Sequence, residues 1–224
     1  MGPPARTVSR APAAKAKPPV ASSPRTRRTQ AQRREEAEQR ILDAAVEIIA
    51  VRGLDALTLA DAGTGAGFSK GLPVHYFSTK NDLVAAVAKY ILRTYVDMRE
   101  ERTAGLQGFE RLTAAIGFYF DYPLQNATVV RAYHIVLNSA LNKPEIRPLV
   151  ERIHRSAVQE IQKGLKRSSG VEDAGRTADL QAQSALTYAT LLGAVAQWLV
   201  NPKAINLPAA RDAVIANLRA SLEA

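Results

Sequence analysis

The chain has no cysteine among its 224 residues. Disulfides, thiolate nucleophiles and cysteine-based zinc sites are therefore excluded. Histidine is scarce, with only His75, His134 and His154. No HExxH pair, Ser/His/Asp arrangement, Walker loop or glycine-rich dinucleotide turn occurs. Lys70-Gly71 and Lys163-Gly164 lack the flanking glycines of a phosphate loop. No apolar run approaches the roughly 18 residues a membrane span needs, and no secretory signal opens the chain. Strand-like alternation is missing too. These absences lead us to expect an intracellular, cytoplasmic, all-α protein with no enzymatic role, no cofactor and no metal.

Negative charge is absent from residues 1–34, which hold nine bases and no acid. Those bases include Arg25, Arg27 and Arg28. The remainder carries 21 bases against 21 acids, so the net charge of +9 lies wholly in the N-terminal segment. Six prolines punctuate residues 1–28, among alanines and basic residues. Such a segment buries too little apolar surface to offset its ordering entropy. We expect residues 1–34 to be a disordered basic arm suited to a polyanion, either nucleic acid or an anionic membrane surface. It either adds phosphate contacts to a DNA complex or is a dispensable extension.

What is present is helical periodicity. Ile41, Leu42, Ala45, Ile48 and Ile49 recur at helical spacing, which predicts a first helix from about Gln30 to Arg52, closed by Gly53. Thr58 can cap a second helix, with Asp61 placed to reach back as a capping-box acid. Gly63 suits a close helix crossing, and Gly67 a tight turn. Ser69 is the expected cap of a third helix ending near Phe77. Ser78-Thr79-Lys80-Asn81-Asp82 signals a further helix start. Two short helices across a glycine-bearing turn, behind a longer amphipathic one, are the layout of a helix-turn-helix DNA reader. Beyond it the pattern predicts helices at about 80–103, 108–121, 125–141, 145–168, 177–200 and 208–222. Tyr122-Pro123 and Lys143-Pro144 are read as breaks, and residues 170–175 as a loop.

The stretches ILDAAVEIIAVRGLDALTLAD and AGFSKGLPVHYFSTKNDLVAAV resemble the N-terminal domain of TetR-type (TetR/AcrR) transcriptional regulators. The resemblance is strong over about residues 38–90 and architectural beyond. It implies residues 35–79 as a three-helix DNA-binding domain and residues 80–224 as a larger helical bundle for ligand binding and dimerisation. It also implies a homodimer, joined through its last two helices, that represses from a palindromic double-stranded DNA operator. A small effector would release it. In the family's recognition helix, Ser69, Lys70, Gly71, Tyr76 and Phe77 match the common pattern. Leu72, Pro73 and Val74 depart from it.

Position gives the DNA-contacting candidates. Thr58 and Ser69 sit at helix starts, where N–H groups attract phosphate. Lys80 opens the next helix beside the DNA backbone, as the resemblance implies. Lys70 and His75 are polar candidates for base edges or phosphates, and Leu72 or Val74 can meet a thymine methyl. Gly71 permits close approach, and Tyr76 either bonds a phosphate or packs in the core. For the ligand cavity the candidates are Tyr90, Arg93, Tyr119, Tyr133, His134, Asn138 and Trp198. This mostly apolar inventory suits an apolar or aromatic effector. Leu186, Leu191, Leu192, Val195, Trp198, Leu199, Val214 and Leu218 supply more apolar surface than a thin bundle needs, which suits a dimer seam. The alternative reading is a non-specific or architectural DNA binder without ligand response.

Overall fold

A computed structural model describes residues 29–169 and 174–223, with Gly2. Arg25, Arg27, Arg28 and the rest of the arm before Thr29 lie outside the described residues, as does most of the expected 170–175 loop. The described residues form eight α-helices and one 3-10 segment, with no strand among them. The helices are α1 (Gln30–Arg52), α2 (Leu59–Gly65), α3 (Lys80–Arg102) and α4 (Gly108–Gln125). They continue as α5 (Ala127–Ser139), α6 (Arg147–Ser169), α7 (Ala174–Val200) and α8 (Leu207–Glu223). Leu72–His75 is the 3-10 segment. Among the described residues no helix is long and apolar enough to cross a membrane.

One boundary is corrected at the start. Residues 30–34, expected in the disordered arm, are the first turn of α1. Thr29 and Gln32 hold them in a reciprocal capping box, with N–H to side-chain distances of 2.9 and 3.2 Å. The expected box at Thr58 is half made. Thr58 Oγ1 accepts the Asp61 N–H at 3.0 Å, but the Asp61 carboxylate accepts the Thr58 hydroxyl instead of its N–H. A full box closes at Thr79, where Asp82 accepts the Thr79 N–H at 2.9 Å.

The largest local departure is the third helix. Ser69 does not cap it through its side chain, and Leu72–His75 is 3-10 rather than α. The cause is Pro73. In an α-helix the Ser69 carbonyl would accept the N–H of residue 73, and proline has none. It takes the Leu72 N–H instead, at 3.1 Å, which imposes the tighter three-residue spacing. Normal spacing returns where the Phe77 N–H reaches the Pro73 carbonyl at 2.8 Å.

Pro123 does the opposite of what was expected. It lies inside α4, which runs on to Gln125. Near the last turn it removes only one helical hydrogen bond, its φ is compatible with helix, and it is buried.

Two hydrophobic cores result. The first joins α1, α2 and Phe77 to the front of α3 and also takes in α5 and the start of α6. Ile41, Leu83 and Val136 are fully buried in it. The N-terminal helices and the bundle thus share one core across residue 80. The second joins α4, α7 and α8 around Phe120, with Ile161 and Leu165 from α6. Leu191, Val195, Val214 and Leu218, expected on a dimer seam, are buried inside this second core. Leu186 is 68% exposed and remains free for a seam. Leu192, Trp198 and Leu199 are half-buried.

Candidate DNA interface and ligand cavity

The turn between α2 and the 3-10 segment is built by glycine. Gly67 has φ +76°, and the Phe68 N–H reaches Gly63 C=O at 2.9 Å while the Gly67 N–H reaches Thr64 C=O at 3.0 Å. This pairing terminates α2 in a Schellman motif. Arg40 of α1 braces it. Its Nη2 donates to the Ala66 carbonyl at 2.5 Å, and its guanidinium lies 4.6 Å from the Phe68 ring centroid. Pro73 is buried against Gly63, where a Cβ would stand 2.8 Å from the proline Cγ. The expectation that Gly63 serves a close crossing is met, with the proline ring as the crossing partner.

This brace leaves one face outward. Thr58, Ser69, Lys70, Gly71 and His75 are exposed, and Val74 is 55% exposed. Leu72 is half-buried. Tyr76 packs against the first core, with the Arg34 guanidinium 5.5 Å from its ring centroid. Phe77 is buried, as an anchor should be. Lys80 is half-buried, and its ammonium donates to the Asp55 carbonyl at 3.0 Å. The Asp55 carboxylate in turn holds Lys143 at 2.6 Å. Arg34 and Arg40, which were not among the expected residues, also approach this segment. The basic run of α1 was their signal, but only folding brings it beside residues 66–76.

A cavity of about 990 Å³ opens among α3 to α7. Of the seven expected residues, Tyr119, Tyr133 and His134 line it. The other four do not. Tyr90 turns to α1, where its hydroxyl donates to Asp43 at 2.9 Å. It neighbours Ile91, which does line the cavity, and one helical step is about 100°. Arg93 is exposed and paired with Asp97. Asn138 is exposed one turn beyond His134. Trp198 packs on the second core, beyond Val195, the last cavity residue of α7.

Tyr95, Tyr122 and Tyr188 were missed, so five of the chain's seven tyrosines line this space. Tyr95 was legible as Ile91 plus four. Tyr122 was hidden by reading Pro123 as a break. The Tyr95 ring meets Tyr119 edge-on at 6.2 Å and Tyr122 at 5.5 Å. Burial raises the phenol pKa of Tyr95, Tyr119 and Tyr133, and pushes that of Tyr188 up to about 12. All four are neutral hydroxyl donors near neutral pH. The Tyr188 hydroxyl lies 3.0 Å from His154 Nδ1.

Burial lowers the pKa of His134 from 6.5 to about 4, so it is neutral at physiological pH. As pH falls below 6.5 the unfolded chain takes up this proton and the folded chain does not. Stability is therefore lost between pH 6.5 and 4, by about 2 kcal/mol at pH 5. Urea titrations at pH 7.5 and 5 should show this slope, reduced in His134→Asn. An equal slope in that variant would assign it to other groups.

The description "Bacterial regulatory proteins, tetR family" matches residues 41–87, covering the reading unit and the front of α3. "BetI-type transcriptional repressor, C-terminal" matches residues 109–223, just over half the chain. The chain belongs to the TetR family. It is accordingly a DNA-binding transcriptional regulator by family. The HTH-type transcriptional regulator BetI of Burkholderia mallei (strain NCTC 10229) is 28% identical over 153 residues, 66% of this chain and 78% of that protein. Two solved structures share the TetR-family fold. FadR from Bacillus subtilis, in complex with stearoyl-CoA, has a TM-score of 0.67 at 20% identity, covering 80% of this chain and 96% of that one. A Saccharomonospora viridis chain in complex with choline has a TM-score of 0.63 at 19% identity, covering 80% and 94%.

Proposed function

We propose that this TetR-family chain is a ligand-responsive repressor. It binds a palindromic operator as a homodimer and leaves it when a mostly apolar small molecule enters the cavity. The DNA-reading unit is α1, α2 and the 3-10 segment, and the bundle from α3 onward binds effector and partner. The observation that carries this reading is the contrast within one turn. Pro73 and Phe77 are locked inward, while Lys70, Gly71, Val74 and His75 stand outward. Such a face offers a cation, a backbone approach, an apolar contact and an imidazole to one groove. Thr58 and Lys80 flank it and contact phosphates. Leu186 on α7 contributes to the dimer seam.

α3 supports the link between the two activities. Its first residue is Lys80, beside the reading unit, and Ile91, Tyr95 and Arg99 on its later turns line the cavity. A ligand that favours a different setting of α3 moves the two recognition segments away from the half-site spacing of about 34–36 Å. Its effect is limited by its differential affinity for the two states.

The test is substitution on the outward face. Lys70→Ala and His75→Ala should each weaken operator binding by about 1–2 kcal/mol, roughly tenfold, with effector affinity unchanged. Fluorescence anisotropy on a selected operator fragment reads the first quantity, and calorimetry the second. Wild-type operator affinity in both variants would sink the assignment of this face.

A further inference from the structure

The charges of the cavity gather at one end. Arg99 and Glu100 come from the last turns of α3, Arg111 from the first turn of α4, and Lys163 and Arg167 from the end of α6. Those ends adjoin, since a Cβ on Gly108 would lie 4.0 Å from the Arg167 carbonyl. With Glu160 included, four bases meet two acids at this mouth. Beyond them, the polar lining includes tyrosine hydroxyls, Ser156 and the neutral His134. No carboxylate lines that part.

Both acids are already engaged. Glu160 holds Lys163 at 2.7 Å. Glu100 holds Arg99 at 2.8 Å and also pairs with Arg111. Arg111 is placed by a second bond, donating from Nη1 to the Thr103 carbonyl at 2.9 Å. The Glu100–Arg111 pair thus ties the end of α3 to α4. It is an exposed bond, with Glu100 47% exposed, and pairs of that kind are weak. A guanidinium fork that already holds one carboxylate suits another anion equally well.

We propose that the effector of this chain is an amphipathic anion, whose acid group takes Arg111 from Glu100 while its apolar body fills the tyrosine-lined space. This rests on reading the cavity as the effector site. Burial of the ligand's tail supplies the affinity, so its acid group outcompetes the weak internal pair. The exchange removes one of the two bonds by which Arg111 ties α4 to the end of α3, opposite Lys80. A cationic head group is the rival: aromatic rings attract cations, but the mouth repels them and its acids are occupied. Neighbours of this fold have been solved with choline and with stearoyl-CoA, so the fold does not choose between head groups. The residues lining this cavity do.

Dodecanoate, dodecan-1-ol and dodecyltrimethylammonium share one tail and differ in head group. Each is titrated below its micelle concentration into the full-length protein, with and without operator DNA. Dodecanoate should bind at least about tenfold more tightly than the other two. Glu100→Gln, which removes the competitor, should tighten dodecanoate alone. Arg111→Gln should weaken dodecanoate about tenfold and leave the alcohol unchanged, which also reports an intact cavity. Preference for the ammonium compound, binding of none of the three, or indifference of dodecanoate to both substitutions would overturn the proposal. Tight dodecanoate binding with no loss of operator affinity would uphold the head-group assignment and refute the repressor reading. Operator release by the ammonium compound alone would do the reverse.

Discussion

Gly63→Ala is expected to cost at least about 3 kcal/mol of operator affinity, roughly a hundredfold or more. An alanine Cβ at this position would stand 2.8 and 2.9 Å from two carbons of the Pro73 ring and 2.9 Å from the Ser69 carbonyl oxygen. None of the three can step aside cheaply. The ring is closed and buried, and the carbonyl is backbone already holding the Leu72 N–H. Overpacking of this kind costs about 1–3 kcal/mol of stability. The larger loss is in binding, because α2 and the 3-10 segment must separate and Lys70, Val74 and His75 move with them. Operator anisotropy measures the affinity, and circular dichroism shows whether the bundle persists. The second core does not include Gly63 and should stay folded. Gly63→Ala combined with Pro73→Ala should recover part of the loss, since two of the three collisions are with the proline ring. Non-additivity of that sign is the mark of direct contact. Full operator affinity in Gly63→Ala would mean that the crossing has slack and the brace sets nothing.

Phe120→Ala should destabilise the protein by about 3–5 kcal/mol, the range for removing a large buried aromatic side chain. Phe120 is fully buried in the second core, with the Tyr119 ring edge-on at 6.0 Å. The same substitution removes the support behind a cavity-lining tyrosine, so effector affinity falls along with stability. Chemical denaturation gives the first effect and calorimetry the second. Leu124→Ala on the same helix is the control. Leu124 is 50% exposed, and its loss should stay within about 0.5 kcal/mol. Equal effects of the two substitutions would mean that α4 packs differently from the arrangement described.

The helix order was legible because apolar spacing and capping chemistry are local. Thr29, Thr58 and Thr79 mark three helix starts, and each side chain accepts the backbone N–H three residues on. The turn at Gly67 was legible for the same reason, since a positive φ nearly demands glycine. Pro73 was legible as a departure from the family's recognition-helix pattern, and the fold survives it. Its missing N–H nevertheless converts the segment to 3-10 spacing, which shifts the direction of every side chain from Leu72 to His75.

The cavity was less legible. Periodicity gives the apolar stripe of a helix but not which part of that stripe meets empty space. Tyr90 was expected to line the cavity and Tyr95 was not. One reaches Asp43 and the other the cavity, and only the placement of α1 and α4 separates them. Four of the eight seam candidates failed similarly. Leu191, Val195, Val214 and Leu218 looked surplus until α4 and α6 closed over them.

The all-α class, the helix order, the turn at Gly67 and the family resemblance are all written in local sequence. Each rests on chemistry within a few residues, where one proton donor, one missing Cβ or one cap decides the backbone. Only long-range packing places five tyrosines around the cavity, pairs Glu100 with Arg111 at its charged end, and joins the first two helices to α5 in one core. Those outcomes depend on contacts between residues far apart in the chain, and no local spacing encodes the distance between two helices.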